Sequence, residues 1–270
     1  MNMSVTQTAR DYAPSQRTLV CSEVWASNQN VAHSVDLPGL QGWIYAAPLE
    51  LGQDGGDIHY LSACDSGVLS RVVLADVSGH GRAVAAVAEQ LLRLVRQHMN
   101  RLEQPALLSE LNTSLQMVKT IDSATYATAM VIGFDSSSGD LVFTNAGHPP
   151  PLWYRAAERR WELLHEPCSA AAGRPVGLPI GLGLGGGYED IIVRFGADDL
   201  LICYTDGLSE ATNDRGLELG VSGLLEFAHG VSVESPMAAG ATLLGLVDAF
   251  RHGAPAEDDE TLVVLQRSRQ

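Results

Sequence analysis

Positive charge is scarce in this chain: 17 lysines and arginines stand against 32 aspartates and glutamates in 270 residues, a formal net charge of −15. Nucleic-acid backbones and anionic membrane surfaces favour Lys and Arg, so neither is expected as a main partner. No run of about 18 apolar residues occurs, so no spanning helix is expected. Residues 1–16 lack the apolar stretch of a signal peptide. The four cysteines, Cys21, Cys64, Cys168 and Cys203, are far apart. They form no CxxC pair and the sequence has no HxxxH, so neither a zinc site nor a dense disulfide framework is expected. A reduced, cytoplasmic setting is the simplest expectation. With 46% hydrophobic and 18% charged residues the chain is not a disordered one. No repeat and no long linker divides it. The expected organisation is a polar tail over residues 1–16 and a single domain over 17–270.

The periodicity alternates between two kinds. Residues 18–26 and 40–47 read as short strands, and 57–64 and 68–76 as a hairpin joined near Asp65-Ser66-Gly67. Val72-Val73-Leu74-Ala75 is apolar throughout, as in a strand covered on both faces. After Gly81, Val84, Val87, Ala88, Leu91, Val95 and Met99 recur at helical spacing. Pro105 opens a second helix to about Lys119, with Leu107, Leu108, Leu111 and Leu115 inward. Residues 128–134 and 141–144 flank a second hairpin turn. Further strands are predicted at 151–155, 160–164, 189–194, 199–205 and 261–265, and helices at 221–229 and 236–251. Strands grouped in hairpins and helices in pairs imply an α+β chain of antiparallel sheets with helices packed outside. The stretch 177–187 holds six glycines and reads as a loop, because no strand, glycine loop and helix with a lysine follow in order.

Four acidic positions sit at strand ends or glycine turns. Asp57 follows Gly55-Gly56. Asp76 ends the Val72–Ala75 run and begins Asp76-Val77-Ser78-Gly79-His80-Gly81. Asp206 ends the apolar run 200–204 and precedes Gly207. Asp258-Asp259 lies just before Thr261. A carboxylate buried without a partner is costly, and several meeting at one sheet edge repel each other. A hard divalent cation removes that conflict, and all-oxygen donors suit Mg²⁺ or Mn²⁺. Taken singly, each aspartate could equally cap a helix or close a turn.

The chain resembles the SpoIIE-type serine phosphatases, a bacterial branch of the metal-dependent, protein phosphatase 2C-like (PPM) family. The resemblance rests on Gly55-Gly56-Asp57, the Asp76–Gly81 segment, Ala127-Thr128-Ala129, Asn145-Ala146-Gly147-His148-Pro149-Pro150, Leu178-Pro179-Ile180-Gly181, Tyr204-Thr205-Asp206-Gly207-Leu208-Ser209-Glu210 and Asp258-Asp259-Glu260-Thr261, in that order. It covers about residues 40–267. It implies an α-β-β-α sandwich and a site for two Mn²⁺ or Mg²⁺ ions, with a third left open. Asp76 would bridge the ions, beside the backbone carbonyl of Val77. Asp57 would serve one ion, and Asp206 with Asp258 or Asp259 the other.

The implied activity is hydrolysis of phosphoserine by a metal-activated water. The implied substrate is a phosphorylated protein of the anti-sigma factor antagonist kind, with a separate regulatory protein or a homodimer as further partners. His80 is the candidate general acid, with a structural role at the helix start as its competitor. His148 is expected to organise the loop around the site. His59 stands where relatives often carry an aromatic or acidic residue. Arg82 could contact phosphate or lie in solvent. Two other readings remain: a silent binding module of the same fold, and a hydrolase of small phosphate esters.

Overall fold

The computed structural model describes residues 16–18, 24–49, 54–64, 67–79, 81–118, 125–164, 177–183 and 187–269. The polar tail apart from Gln16, the residues Cys21, His80 and Cys168, and the Asp65-Ser66 turn lie outside them. In chain order the elements begin with β1 (Gln16–Thr18), β2 (Val24–Ser27), β3 (Val31–Leu37), β4 (Leu40–Ala47), β5 (Asp57–Ala63) and β6 (Leu69–Val77). Two helices follow, α1 (Arg82–His98) and α2 (Gln104–Val118). Then come β7 (Ala127–Asp135), β8 (Asp140–Ala146), β9 (Leu152–Arg155), β10 (Arg160–Leu163), β11 (Asp190–Arg194) and β12 (Leu200–Tyr204). The last are α3 (Asp206–Ser209), α4 (Gly220–Ala228), α5 (Pro236–Arg251) and β13 (Glu260–Arg267).

The strands form two sheets. One has the order β1-β3-β4-β13-β12-β9-β10 and the other β11-β8-β7-β6-β5-β2. All of these pairings are antiparallel except that of the short β1 with β3. The α+β sandwich expected from the sequence is therefore present. Two expectations are corrected at its margins. The strand predicted over 18–26 is described only at its ends, by β1 and by β2 which runs on to Ser27, with 19–23 outside the described residues, and β3 is an additional strand. Its sequence, VAHSVDL, breaks strict alternation at Ala32 and His33 and holds no long apolar run.

Alternation along each strand sorts residues into layers. Val72 and Leu74 of β6, Leu61 of β5, Leu201 and Cys203 of β12, and Val263 and Leu265 of β13 fill the space between the sheets. The residues between them face outward. Val73, Ala75 and Val77 meet α1 and α2, where Leu107, Leu108, Leu111 and Leu115 are buried. Each such leucine contributes about 1.5–3 kcal/mol. Leu200, Ile202 and Tyr204 meet the layer of α4 and α5. Helix α5 starts cleanly, with Ser235 accepting the Ala238 amide and Pro236 opening the first turn. Among the described residues no helix is long and apolar enough to cross a membrane.

Candidate metal centre

The inter-sheet layer changes character at one end. Continuing the parity of Leu61, residue 57 points between the sheets; continuing that of Val72 and Leu74, so does residue 76. Both are aspartates, and they are paired directly across β5 and β6. From the facing sheet the same parity delivers Thr205 after Cys203 and Thr261 before Val263. Asp206 then opens the short helix α3, where the sequence predicts a strand end or turn.

Asp57 is buried, and Thr205 Oγ1 donates to its Oδ2 at 2.6 Å, while the Thr261 amide donates to Thr205 Oγ1 at 2.9 Å. This chain ties one sheet to the other. Burial, then the Asp76 charge, pushes the Asp57 carboxyl well above the usual range, against the hydrogen bonds from Thr205 and Thr261. Asp76 is pushed up to about 8, by burial first and then by Asp206, Asp258, Asp259 and Glu210. Asp206 is raised to about 6 by burial, then by Glu210 and Asp258. The aspartates singled out from the sequence thus share one electrostatic neighbourhood at one end of the sandwich.

Asp258 and Asp259 differ in what their oxygens do. Asp259 accepts the Leu49 amide on Oδ1 and the Gly56 amide on Oδ2, both at 2.6 Å. Its carboxylate therefore fastens three chain segments. Asp258 Oδ1 accepts the adjoining Asp259 amide at 2.8 Å. Its charge is felt by both Asp76 and Asp206. The turns themselves are in hard contact: a Cβ on Gly207 would lie 2.1 Å from the Asp259 carbonyl oxygen, so only glycine fits there. Val77 is buried against α1, and its amide donates to the Gly56 carbonyl at 3.3 Å.

His148 spans the two sheets beside these groups. Its Nε2 lies 3.1 Å from the Tyr204 carbonyl and its Nδ1 2.8 Å from Thr128 Oγ1. A carbonyl only accepts, so Nε2 carries the proton and Nδ1 accepts from the threonine hydroxyl. Thr128 is the cross-strand partner of Asp76, and Tyr204 precedes Asp206 by two residues. Burial lowers the His148 ring to about 3, so it is neutral. His59 is fully buried and also held neutral, with no partner for either ring nitrogen among the described residues. Arg82 is exposed. A cleft of about 300 Å³ opens next to Asp206 and His148, bounded also by Ser209, Glu210 and Glu218. Thr205 and Glu210 lie inside quoted motifs, but their roles depend on contacts from segments distant in sequence.

Oxygen donors carrying mutually raised carboxyl groups match a hard divalent cation, which would relieve the repulsion. Among the described residues no three His, Cys, Asp or Glu side chains enclose an ion by themselves.

Among known proteins, the family model described as stage II sporulation protein E (SpoIIE) matches residues 69–268. The phosphoserine phosphatase RsbP of Bacillus subtilis (strain 168) is 27% identical over 149 residues, 52% of this chain and 33% of RsbP. The chain therefore aligns with about a third of that relative's length. The solved structure of the RsbU and RsbW domains of Rv1364c from Mycobacterium tuberculosis superposes with a TM-score of 0.70 at 25% identity, covering 89% of this chain and 63% of that one. The catalytic domain of the serine threonine protein phosphatase PstP, solved in complex with two manganese ions, gives a TM-score of 0.59 at 15% identity over 85% of this chain and 99% of that one.

Proposed function

This chain belongs to the stage II sporulation protein E (SpoIIE) family, and on that premise we propose that residues 17–270 form a divalent-cation-dependent protein serine/threonine phosphatase. The observation that carries the reading is the pairing of Asp57 with Asp76 across β5 and β6, at the edge where Asp206 and Asp258 add their charges. Asp76 with the Val77 carbonyl, and Asp206 with Asp258, are the groups that would hold the ions. Asp57 would support them from behind, held by Thr205. Asp259 is assigned to the turn, since both its oxygens accept backbone amides. The manganese bound by PstP supports the choice of ion.

When bound, the cations supply Lewis acidity: they lower the pKa of water and offset the charge of a phosphoryl group. The chain's own residues do the rest. Asp57, Thr205 and Thr261 fix the spacing between the sheets. His148, with both ring nitrogens occupied, orients the Tyr204–Asp206 segment and is no proton donor. The general acid for the leaving seryl oxygen is proposed to be His80. The substrate proposed from the family resemblance is a phosphoserine on a small anti-sigma factor antagonist-type protein; RsbP's name supports the phosphoserine.

The test is release of phosphate from a phosphoseryl protein, and from p-nitrophenyl phosphate, by metal-free protein before and after addition of Mn²⁺. Turnover of the phosphoprotein only after addition is expected. Metal-independent turnover, or none with either substrate, would refute the reading.

A further inference from the structure

The two turns that carry Asp206 and Asp258 are joined from behind by a buried cation. Arg251 ends α5, and its side chain is 6% exposed. One guanidinium nitrogen, Nη2, donates both to Glu260 Oε1 and to the Gly207 carbonyl, the latter at 3.4 Å. Nη1 donates to Asp248 at 3.3 Å on the same helix. Glu260 is equally buried, at 7%. It lies two residues after Asp258, while Gly207 follows Asp206 directly. Arg251 thus contacts both turns at once. The fork is specific: a lysine would keep the charge but could not present the same planar set of donors.

Two further observations give this clamp a purpose beyond stability. The two turns pass so close that a Cβ on Gly207 would collide with the Asp259 carbonyl oxygen. Any loosening of the pair therefore changes the distance between Asp206 and Asp258 directly. Moreover, a buried ion pair is weak evidence of stabilisation, because desolvation offsets its attraction. The Arg251 Nε is buried with no hydrogen-bond partner among the described residues, a cost that a purely stabilising pair would avoid. We propose that Arg251, acting through Glu260 and Gly207, is a positioning residue that sets the spacing of the Asp206 and Asp258 carboxylates for a divalent cation. This rests on the metal-dependent reading of the acidic edge.

The experiment is calorimetric titration of Mn²⁺ into metal-free protein, comparing the parent with Arg251→Lys and with the double variant Arg251→Met, Glu260→Gln. The double variant removes both charges together and leaves none buried alone. Far-UV circular dichroism and thermal unfolding without metal check the fold. Groups that orient ligands are worth roughly tenfold to a hundredfold in metal affinity. Weakening of that size is expected in both variants, with the KM for p-nitrophenyl phosphate at saturating Mn²⁺ unchanged. If either folded variant binds Mn²⁺ within about twofold of the parent, the positioning role is overturned while the metal reading stands. If the parent itself binds no Mn²⁺, the metal reading fails and this inference with it.

Discussion

The two ends of the inter-sheet layer are built by the same strands and end in opposite chemistry. Toward one end the facing side chains are Leu37, Leu40, Phe134, Phe195 and Leu265, all buried. Toward the other they are Asp57, Asp76, Thr205 and Thr261, with His148 beside them. One end lowers the free energy by excluding water, whereas the other raises it by holding like charges out of water. The comparison teaches where the stability is generated and where it is consumed, since alternation along the strand serves both.

Replacing a carboxylate should separate these roles most sharply. For Asp76→Asn the expected loss of Mn²⁺-dependent phosphatase activity is roughly a thousandfold or more, the scale of the several kcal/mol a metal supplies. The metal-free variant should unfold at a temperature no lower than the metal-free parent, because folding raises the Asp76 pKa to about 8. Steady-state kinetics and thermal unfolding with chelator check the two halves. Within the apolar filling the opposite result is expected. Leu74, fully buried two residues before Asp76 on the same face, should cost about 2–5 kcal/mol when cut to alanine. Denaturant titration reads that loss, and the metal affinity of the folded fraction should stay near the parent's.

The smallest effect is a pH slope. His148 titrates near 3 when folded and near 6.5 unfolded. Between those values only the unfolded chain takes up the proton, so its contribution is complete above pH 6.5 and is lost as pH falls. The expected slope is about 1.4 kcal/mol per pH unit. Chemical denaturation from pH 7 to 5 at fixed Mn²⁺ should show it, and His148→Gln should make the slope shallower by that amount, leaving the part due to His59, whose ring is likewise lowered to about 3.

Much of this division was legible in the sequence. The run from Val72 to Ala75 closing on Asp76 announced both a covered strand and the place where its cover ends. The helical stripes of α1 and α2 were visible for the same reason, since local period reports the face that meets a sheet. What stayed hidden depends on partners far along the chain. Asp259 differs from Asp258 because amides 210 and 203 residues away reach it. Asp57 is held by a threonine 148 residues later. Glu260, in an acidic stretch beside Asp258 and Asp259, is buried because Arg251 meets it there. Strand β3 escaped notice because its alternation includes a buried-facing histidine, His33, where an aliphatic residue would have completed the pattern.

The hydrogen bond between Thr205 and Asp57 joins one sheet to the other within sight of the acidic groups. The gap that a cation would meet is therefore already spanned from within, by a hydroxyl that the Thr261 amide holds in place. A void among the leucines costs stability while this strut at the rim stays in place, so the grip on an ion is separable from the filling behind it.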